Sequence, residues 1–281
     1  MEKFNVFFTI DKSYITHFTV AATSLLANNR DLNFRIFLIH DLEDQSILEK
    51  VINYFRRKYN VEIVLLTIEP ALFENYKITD HISRATYFRL LLSDIIPSTI
   101  DRGLFLDSDL VVTGSIKDLL TAEFKDKYLL ANDDPYYAED SILRINRLGA
   151  PTSAYFNAGV LLINLKKWRS ENVAGHLIRV AQDKMEQLLW WDQDVLNLYF
   201  FDKWDRFEAR FNSINYTQKF DQAPTIVHFA GKSKPWHYFN NHPYKSLYWS
   251  YLRSTPFWYQ VPDDFTFLNV LRKIKRRLSK P

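Results

Sequence analysis

Continuous apolar runs alternate with amphipathic segments over roughly the first hundred residues of the chain. A short continuous apolar run predicts a buried strand, whereas apolar residues spaced three and four apart predict a helix. Strands that are apolar throughout and separated by helices are typical of a parallel sheet covered on both faces, whose ligands bind beyond the carboxyl ends of the strands. The predicted strands are residues 5–10, 34–40, 61–68 and 103–109, and the predicted helices are residues 18–29, 44–60 (with Asp44 as its cap) and 84–96.

Beyond residue 110 the pattern is less regular but still alternates. We expect one α/β domain over residues 1–250, with a Rossmann-like, mostly parallel sheet and helices on both faces. An aromatic and basic helical tail follows over residues 251–281. The later predicted strands are residues 127–133, 158–164 and 225–231, and the later predicted helices are residues 176–189 and 192–201.

Glycine and cysteine usage narrows the function classes. The 281-residue chain has six glycines and contains neither G-x-G-x-x-G nor G-x-x-x-x-G-K-[ST], so it lacks a dinucleotide-binding loop and a P-loop. It has no cysteine, which excludes disulfides and thiol chemistry and fits a reducing compartment. No apolar run approaches the ~20 residues of a spanning helix, and the first one is too short for a signal peptide. We therefore expect a cytoplasmic protein.

The formal net charge of +3 is unevenly distributed. Residues 271–281 hold six of the 36 Lys and Arg residues and no acidic residue, so the rest of the chain carries 30 basic against 33 acidic residues. A slightly acidic body is not expected to bind nucleic acid, whereas the tail forms a local basic segment.

Two carboxylates interrupt the apolar stretch "LFLDSDLVV", at Asp107 and Asp109. In a strand, residues i and i+2 face the same side, so the two side chains are expected to project together where the fourth strand leaves the sheet. Adjacent carboxylates repel each other unless a cation lies between them, and hard oxygen ligands suit Mg²⁺ or Mn²⁺. The residue pattern leaves two interpretations open, a metal site and a pair of solvated loop acids.

Four stretches occur in the order found in glycosyltransferase family 8. They are "LFLDSD" (104–109), "YFNAGVLLINLKKW" (155–168), "WDQDVLN" (191–197) and "HFAGKSKPWH" (228–237). Over about residues 4–237 the chain resembles the retaining enzymes of that family, notably bacterial lipooligosaccharide α-galactosyltransferases and lipopolysaccharide core glucosyl- and galactosyltransferases. The resemblance implies the GT-A fold, with Mn²⁺ in place of a glycine loop. It also implies transfer of a hexose from UDP-glucose or UDP-galactose to a glycan or lipid-linked saccharide.

The resemblance also implies a role for individual residues. Three of them would hold Mn²⁺, with Mg²⁺ as a weaker substitute, because a set of oxygen and imidazole ligands suits Mn²⁺ better. The implied metal ligands are Asp107, Asp109 and His228, and the implied phosphate contacts are Lys234 and Gly231. The implied base and ribose contacts are Thr9, Asp11 and Ser13, with Ser108 also counted as donor-binding, and the residues implied around the donor sugar are Arg89, Asp134, Asn157, Asp192 and Gln193.

Retention is expected to proceed by front-face attack. In the family, one side chain lies nearest the anomeric carbon of the donor sugar, and the resemblance assigns that position to Gln193. An amide is a poor nucleophile. We therefore expect UDP to leave with help from the metal and Lys234, while Asp192 orients sugar hydroxyls. Covalent catalysis is the minority alternative.

Two other function classes remain open from the residues alone. A haloacid-dehalogenase-like phosphatase has four apolar residues followed by D-x-D-x-[TV], which "LFLDSDLV" almost satisfies. However, three predicted strands precede this stretch here, whereas the phosphatase motif usually follows the first strand. A non-catalytic module that binds sugar nucleotides is the other alternative.

The tail, "PDDFTFLNVLRKIKRRLSKP", predicts a basic amphipathic helix with Asp263 or Asp264 as its cap. Aromatic residues upstream suit a headgroup boundary, so we expect the tail to bind an anionic membrane surface on the inner face of the plasma membrane. The alternative is a final helix packed on the domain. The apolar stripe is Phe267, Leu271, Ile274 and Leu278, and the upstream aromatic residues are Trp249, Tyr251, Trp258 and Tyr259.

Overall fold

A seven-stranded sheet forms the centre of the molecule, in the order β3-β2-β1-β4-β7-β6-β8. The structure is a computed structural model that describes residues 3–74, 76, 84–135, 138–214 and 223–278. Strands β1 to β4 are parallel to one another, β7 is antiparallel to both β4 and β6, and β8 is parallel to β6. The strands of this sheet are β1 Lys3–Ile10, β2 Asn33–His40, β3 Glu62–Thr67, β4 Arg102–Leu106, β6 Leu129–Asp133, β7 Phe156–Asn164 and β8 Trp204–Arg206.

A small antiparallel sheet joins two short strands that follow β4 and precede the C-terminal region. Helices cover both faces of the large sheet, as the alternating apolar pattern predicted. The two strands are β5 Leu110–Val112 and β9 Ile226–His228. The α-helices are α1 Ile15–Asn28, α2 Ser46–Tyr59, α3 Leu92–Ile95, α4 Lys117–Thr121, α5 Ala138–Arg147, α6 Leu165–Ser170, α7 Val173–Lys184, α8 Trp191–Tyr199, α9 Lys245–Leu252 and α10 Phe267–Leu278.

The apolar strands are continuous because both faces of the sheet are buried. Along β1, Val6 and Phe8 belong to one core cluster, whereas Phe7, which points to the opposite face, belongs to the other. The same division separates Leu104 from Phe105 on β4. Because β1 to β4 are parallel, their carboxyl ends lie at one edge of the sheet, together with the amino-terminal end of the antiparallel β7. The polar side chains described below converge at that edge.

Several predicted boundaries differ from the structure. The predicted helix over residues 84–96 is mostly a 3₁₀ helix, Arg84–Leu91, followed by the single turn of α3. The cap position of α2 is Gln45, although the Asp44 carboxylate accepts a hydrogen bond from the Ser46 N–H at 2.9 Å. The C-cap residue of α2 is Asn60, which follows Tyr59 and lies in the left-handed region with φ of 52°. Asparagine tolerates this conformation better than most residues.

The predicted fourth strand, residues 103–109, is too long. Strand β4 ends at Leu106, and the chain turns over residues 107–109 before β5 begins. The same-side argument for Asp107 and Asp109 was therefore wrong, because these residues do not lie in a strand. The turn brings the two carboxylates together instead.

The C-terminal region packs partly on the domain and partly projects from it. Helix α9 and Phe257 are part of the core, and the Trp249 indole donates to the Pro235 carbonyl at 2.9 Å. In contrast, α10 exposes Phe267 and Leu271. Neither Asp263 nor Asp264 caps α10, because the Thr266 hydroxyl accepts the Asn269 N–H at 3.2 Å. The division at residue 250 stays a prediction, and none of the helices in the described ranges is long and apolar enough to span a bilayer.

Candidate active site

Three side chains with metal-binding atoms meet at the carboxyl edge of the sheet. Asp107 and Asp109 lie in the turn between β4 and β5, and His228 is the last residue of β9, directly paired with Leu110. The His228 Nε2 atom is 3.2 Å from Asp109 Oδ1 and 3.8 Å from Asp107 Oδ2. One ligand atom from each of the three lies within 4.8 Å of the others, so the group can hold a metal ion.

Backbone hydrogen bonds and a glycine shape this turn. The Asp107 N–H donates to the Gly159 carbonyl at 2.8 Å, and the Phe229 N–H donates to the Asp109 carbonyl at 2.9 Å. Gly159, on the neighbouring strand β7, packs directly against the His228 ring and the Asp107 carboxylate, where a Cβ would clash. The donor set and the space left by the glycine both fit a small divalent cation.

Lys234 places a positive charge directly against the Asp109 carboxylate. Its ammonium donates to Asp109 Oδ2 and to the Phe229 carbonyl, the latter at 3.0 Å. Burial would raise the pKa of Asp109, but the positive charge of Lys234 outweighs it and holds that pKa well below its ordinary value. Asp109 is therefore ionised throughout the physiological range. Gly231, in the loop between His228 and Lys234, has φ of +86°, a conformation that favours glycine.

Arg89 connects the metal-binding carboxylates to a second buried carboxylate. Its guanidinium contacts Asp107 Oδ1 at 2.7 Å, Asp192 Oδ2 at 2.9 Å and the Ala158 carbonyl at 2.5 Å. Asp192 Oδ1 also accepts from the Thr86 hydroxyl at 2.8 Å. Burial raises the pKa of Asp192 to about 6, despite the opposing charge of Arg89. Arg89 was expected near the donor sugar, and the structure places its guanidinium between the carboxylates of Asp107 and Asp192.

Asp134, Asn157 and Gln193 form one hydrogen-bonded cluster. Asp134 Oδ2 accepts from the Asn157 amide at 3.3 Å and from the Gln193 amide at 3.1 Å. The Gln193 carbonyl oxygen accepts the Ala158 N–H at 3.0 Å. These side chains come from β7, from helix α8 and from the segment after β6, and their polar ends fit a ligand rich in hydroxyl groups.

The residues expected to contact base and ribose lie at the end of β1. Thr9 is on the strand, and Asp11 Oδ1 accepts from both the Ser13 N–H at 2.8 Å and the Ser13 hydroxyl at 2.6 Å. Among the described residues, the buried Ser108 hydroxyl has no hydrogen-bond partner. A buried hydroxyl without a partner calls for one, and a bound ligand would supply it.

Two residues of this region were missed by the sequence analysis. Burial first, and then the negative charges of Asp109 and Asp107, raise the pKa of Tyr14. Asn212, which is buried, lies between His228 and Asn157, at 2.9 Å and 3.0 Å from them. Tyr14 is adjacent to Ser13 and could have been included on position alone, whereas the "RFNS" stretch around Asn212 has no local pattern that marks it.

Comparison with known proteins agrees with this geometry. The model of glycosyl transferase family 8 matches residues 5–240, and the chain belongs to that family. The fold is GT-A: the galactosyltransferase LgtC, solved in complex with donor and acceptor sugar analogs, superposes with a TM-score of 0.80 at 26% identity, covering 92% of this chain and 98% of LgtC.

Curated relatives include transferases of different sugars. A lipopolysaccharide 1,3-galactosyltransferase of Salmonella typhimurium is 31% identical over 86% of this chain and 75% of its own length. A lipopolysaccharide 1,2-glucosyltransferase of Escherichia coli is 27% identical over 93% of this chain and 81% of its own length. The glycosyltransferase GlyF of Streptococcus pneumoniae is 30% identical over 86% of this chain, which spans only 59% of GlyF.

Proposed function

We propose that this glycosyltransferase moves glucose or galactose from UDP-glucose or UDP-galactose to a glycan or lipid-linked saccharide, with retention of configuration. The observation that carries the proposal is the convergence of Asp107, Asp109 and His228 beside the cluster of Asp134, Asn157 and Gln193. A metal-binding group next to a hydroxyl-binding cluster is what a sugar nucleotide requires. Relatives named as galactosyl- and glucosyltransferases support a hexose donor and a lipopolysaccharide-like acceptor.

Mn²⁺ is the proposed metal, with Mg²⁺ as a weaker substitute. Two carboxylates and one imidazole suit Mn²⁺ better than Mg²⁺, which prefers oxygen ligands alone. When bound, the ion would neutralise the diphosphate and stabilise the charge that develops on departing UDP. Asp109, ionised at any physiological pH, is ready to serve as a ligand.

Lys234 and the backbone around it are proposed to receive the diphosphate. The Lys234 ammonium is held at Asp109, beside the metal ligands, where it would neutralise part of the charge of a bound diphosphate. Gly231 has no Cβ, and nothing described would lie within 4 Å of one, so the loop leaves space for a close approach. Ser108 is proposed to bond a ribose hydroxyl, and Thr9, Asp11 and Ser13 to face the base and ribose.

Front-face attack is the proposed route. Both ends of the Gln193 amide are engaged, its oxygen by the Ala158 N–H and its nitrogen by Asp134. The amide is therefore fixed in orientation, and its role would be to position and polarise the donor sugar. Asp192 is engaged by Thr86 and Arg89, which favours a positioning role over nucleophilic attack. A trapped glycosyl adduct on Asp192 of the wild-type enzyme would contradict this route, and an inverted product would contradict retention.

The decisive experiment measures UDP release from a panel of UDP-sugars, first without and then with saccharide acceptors, in EDTA and after Mn²⁺ is restored. We expect Mn²⁺-dependent release that Asp107→Asn and Asp109→Asn abolish. Asp118→Asn, at an aspartate whose side chain is 76% exposed, is the matched control and should keep full activity. Full activity in EDTA would refute the metal assignment. Turnover of a phosphomonoester would favour a phosphatase, and UDP-sugar binding without turnover a non-catalytic module.

We also propose that the C-terminal segment binds an anionic membrane surface at the inner face of the plasma membrane. Apolar and aromatic side chains are exposed along this segment, next to the exposed Arg272 and Lys275. Exposed apolar residues beside basic ones suit an anionic bilayer, where each basic residue contributes ~1 kcal/mol. The exposed side chains are Trp258, Tyr259, Val261, Phe265, Phe267, Leu268 and Leu271.

This membrane proposal is tested by sedimentation with anionic and neutral vesicles. The full chain is compared with a version that ends at Thr266, which keeps the Tyr238 N–H to Asp264 hydrogen bond at 2.5 Å and so preserves the attachment of this segment to the domain. We expect salt-sensitive binding to anionic vesicles that the shorter version loses. If both forms stay in the supernatant, the segment is not a membrane tether.

A further inference from the structure

A chain of buried and half-buried side-chain amides joins the metal-binding histidine to the proposed sugar site. His228 Nδ1 is 2.9 Å from Asn212 Oδ1, and the Asn212 amide donates to Asn157 Oδ1 at 3.0 Å. The Asn157 amide donates to Gln193 Oε1 at 3.1 Å, and the Gln193 amide donates to Asp134 Oδ2 at 3.1 Å. The metal ligand and the sugar cluster are therefore parts of one network.

The direction of each of these hydrogen bonds is determined by neighbouring groups that can only donate or only accept a hydrogen bond. The Ala158 N–H can only donate, and it donates to Gln193 Oε1 at 3.0 Å, while the Gly159 N–H donates to Asn157 Oδ1 at 3.0 Å. At the other end, the Asp134 carboxylate accepts from the nitrogens of both amides. Neither amide can be reversed without setting an oxygen against a carboxylate and a nitrogen against an N–H.

This polarity extends to His228. Because Asn157 Oδ1 is an acceptor, the Asn212 atom that faces it must be the nitrogen. The Asn212 oxygen then faces His228 Nδ1, which must carry a proton in order to donate. A neutral imidazole has one N–H and one lone pair, so the lone pair is on Nε2, the atom that lies 3.2 Å from Asp109 Oδ1 and 3.8 Å from Asp107 Oδ2.

We propose that Asn212 is a positioning residue, which keeps the proton of His228 on Nδ1 so that Nε2 can ligate the metal, and which ties that ring to the amides of the sugar site. The inference rests on the metal and sugar assignments of the proposed function. Partners of this kind orient metal-ligating histidines, and their loss typically lowers metal affinity by about 10–100-fold.

Two substitutions separate the two halves of this role. Asn212→Leu removes both the acceptor for His228 and the donor to Asn157, so Mn²⁺ affinity should fall by about 10–100-fold. Asn212→Asp keeps an acceptor for the His228 N–H but loses the donor to Asn157 Oδ1. It should therefore bind Mn²⁺ at least as tightly as the wild type, because a carboxylate partner makes the imidazole more basic, while kcat falls by up to about tenfold, the equivalent of one lost hydrogen bond.

A buried asparagine far from the site provides the matched control. Asn29 donates to the Leu25 and Gly114 carbonyls at 3.0 and 3.2 Å and accepts the Ile116 N–H at 2.9 Å. Asn29→Leu should lower the unfolding temperature, as any buried hydrogen-bonded amide would, but leave Mn²⁺ affinity unchanged. Mn²⁺ affinity is measured by the loss of the free-ion electron paramagnetic resonance signal on titration.

The protonation of His228 Nδ1 is read directly from ¹⁵N spectra of the wild-type protein without metal, assigned with His228→Gln among the seven histidines of the chain. We expect Nδ1 to carry a proton at pH 8.5. An unprotonated Nδ1, or folded Asn212→Leu with wild-type Mn²⁺ affinity, overturns the proposal. If the spectra and affinities are as expected but the wild type releases UDP from no UDP-sugar, the proposed function fails and the role of Asn212 stands.

Discussion

Replacing Gly159 with alanine is the sharpest test of how the metal-binding group is built. A Cβ at this position would lie 2.2 Å from His228 Cε1, 2.9 Å from His228 Nδ1 and 2.8 Å from Asp107 Oδ2. Ordinary carbon contacts begin at about 3.4 Å, so the nearest pair must separate by roughly 1.2 Å. The question is which side of the contact moves.

The glycine side cannot move easily. Next to Gly159, Val160 pairs with Leu106 of β4, and the Gly159 carbonyl also accepts the Asp107 N–H. The His228 ring and the Asp107 carboxylate must therefore retreat. Metal–ligand distances tolerate only about ±0.2 Å, so a shift of this size removes at least one ligand. Overpacking of this kind typically costs 1–3 kcal/mol of folding stability, which a 281-residue domain can survive.

We expect folded Gly159→Ala to lose most of its Mn²⁺ affinity and all measurable UDP release. The assay is Mn²⁺ titration by electron paramagnetic resonance, paired with a thermal melt that reports the fold. Gly114→Ala is the matched control, because among the described residues its Cβ would meet only Thr225, with Cγ2 and Oγ1 at ordinary distances of 3.6 and 3.9 Å. Wild-type Mn²⁺ affinity in folded Gly159→Ala would refute the reasoning.

Three further outcomes follow from the structure. Because burial raises the pKa of Asp192 to about 6 from its ordinary 3.8, its contribution to stability is complete below pH 4 and is lost as the pH rises through 6. The urea midpoint of the wild type relative to Asp192→Asn should therefore fall between pH 4 and 7, and a rise would contradict the shift. Arg89→Lys cannot keep the contacts to Asp107, Asp192 and the Ala158 carbonyl together, so Mn²⁺-dependent transfer should drop at least tenfold, which wild-type turnover of the variant would rule out. At the left-handed Asn60, substitution by glycine should leave the urea midpoint nearly unchanged and substitution by valine should cost about 1–2 kcal/mol; equal effects of the two would argue against that conformation.

The parallel half of the sheet was predictable because its signal is local. Each strand from β1 to β4 is apolar on both faces, so a short window of sequence suffices to identify it. The 3₁₀ helix at Arg84–Leu91 was not predictable in the same way, because its apolar spacing also fits an α-helix. The ends of β4 and β9 were also missed, since the apolar pattern continues past the last paired residue.

The site residues also differ in whether the local sequence reveals them. Asp107 and Asp109 were found from their own stretch of sequence, but nothing local relates them to His228, which is paired with Leu110 through a small sheet between distant segments. The resemblance to a family linked these positions. Asn212 is marked neither by a local sequence pattern nor by a family motif. Its hydrogen bonds form only when the fold brings the amides of β7 and α8 beside it. Tertiary hydrogen bonding of this type has no sequence period.

The ion pair between Lys234 and Asp109 should couple the binding of a metal ion to the binding of a diphosphate. The carboxylate proposed to bind a cation is paired with the ammonium proposed to bind a diphosphate, so each of the two groups satisfies the other. A divalent ion that takes Asp109 releases the lysine, and a diphosphate that takes the lysine releases the carboxylate. Each ligand therefore lowers the cost of binding the other, and by thermodynamic linkage the gain is the same in both directions. Mn²⁺ and UDP should each raise the affinity for the other by one common factor, part of which Lys234→Met would remove.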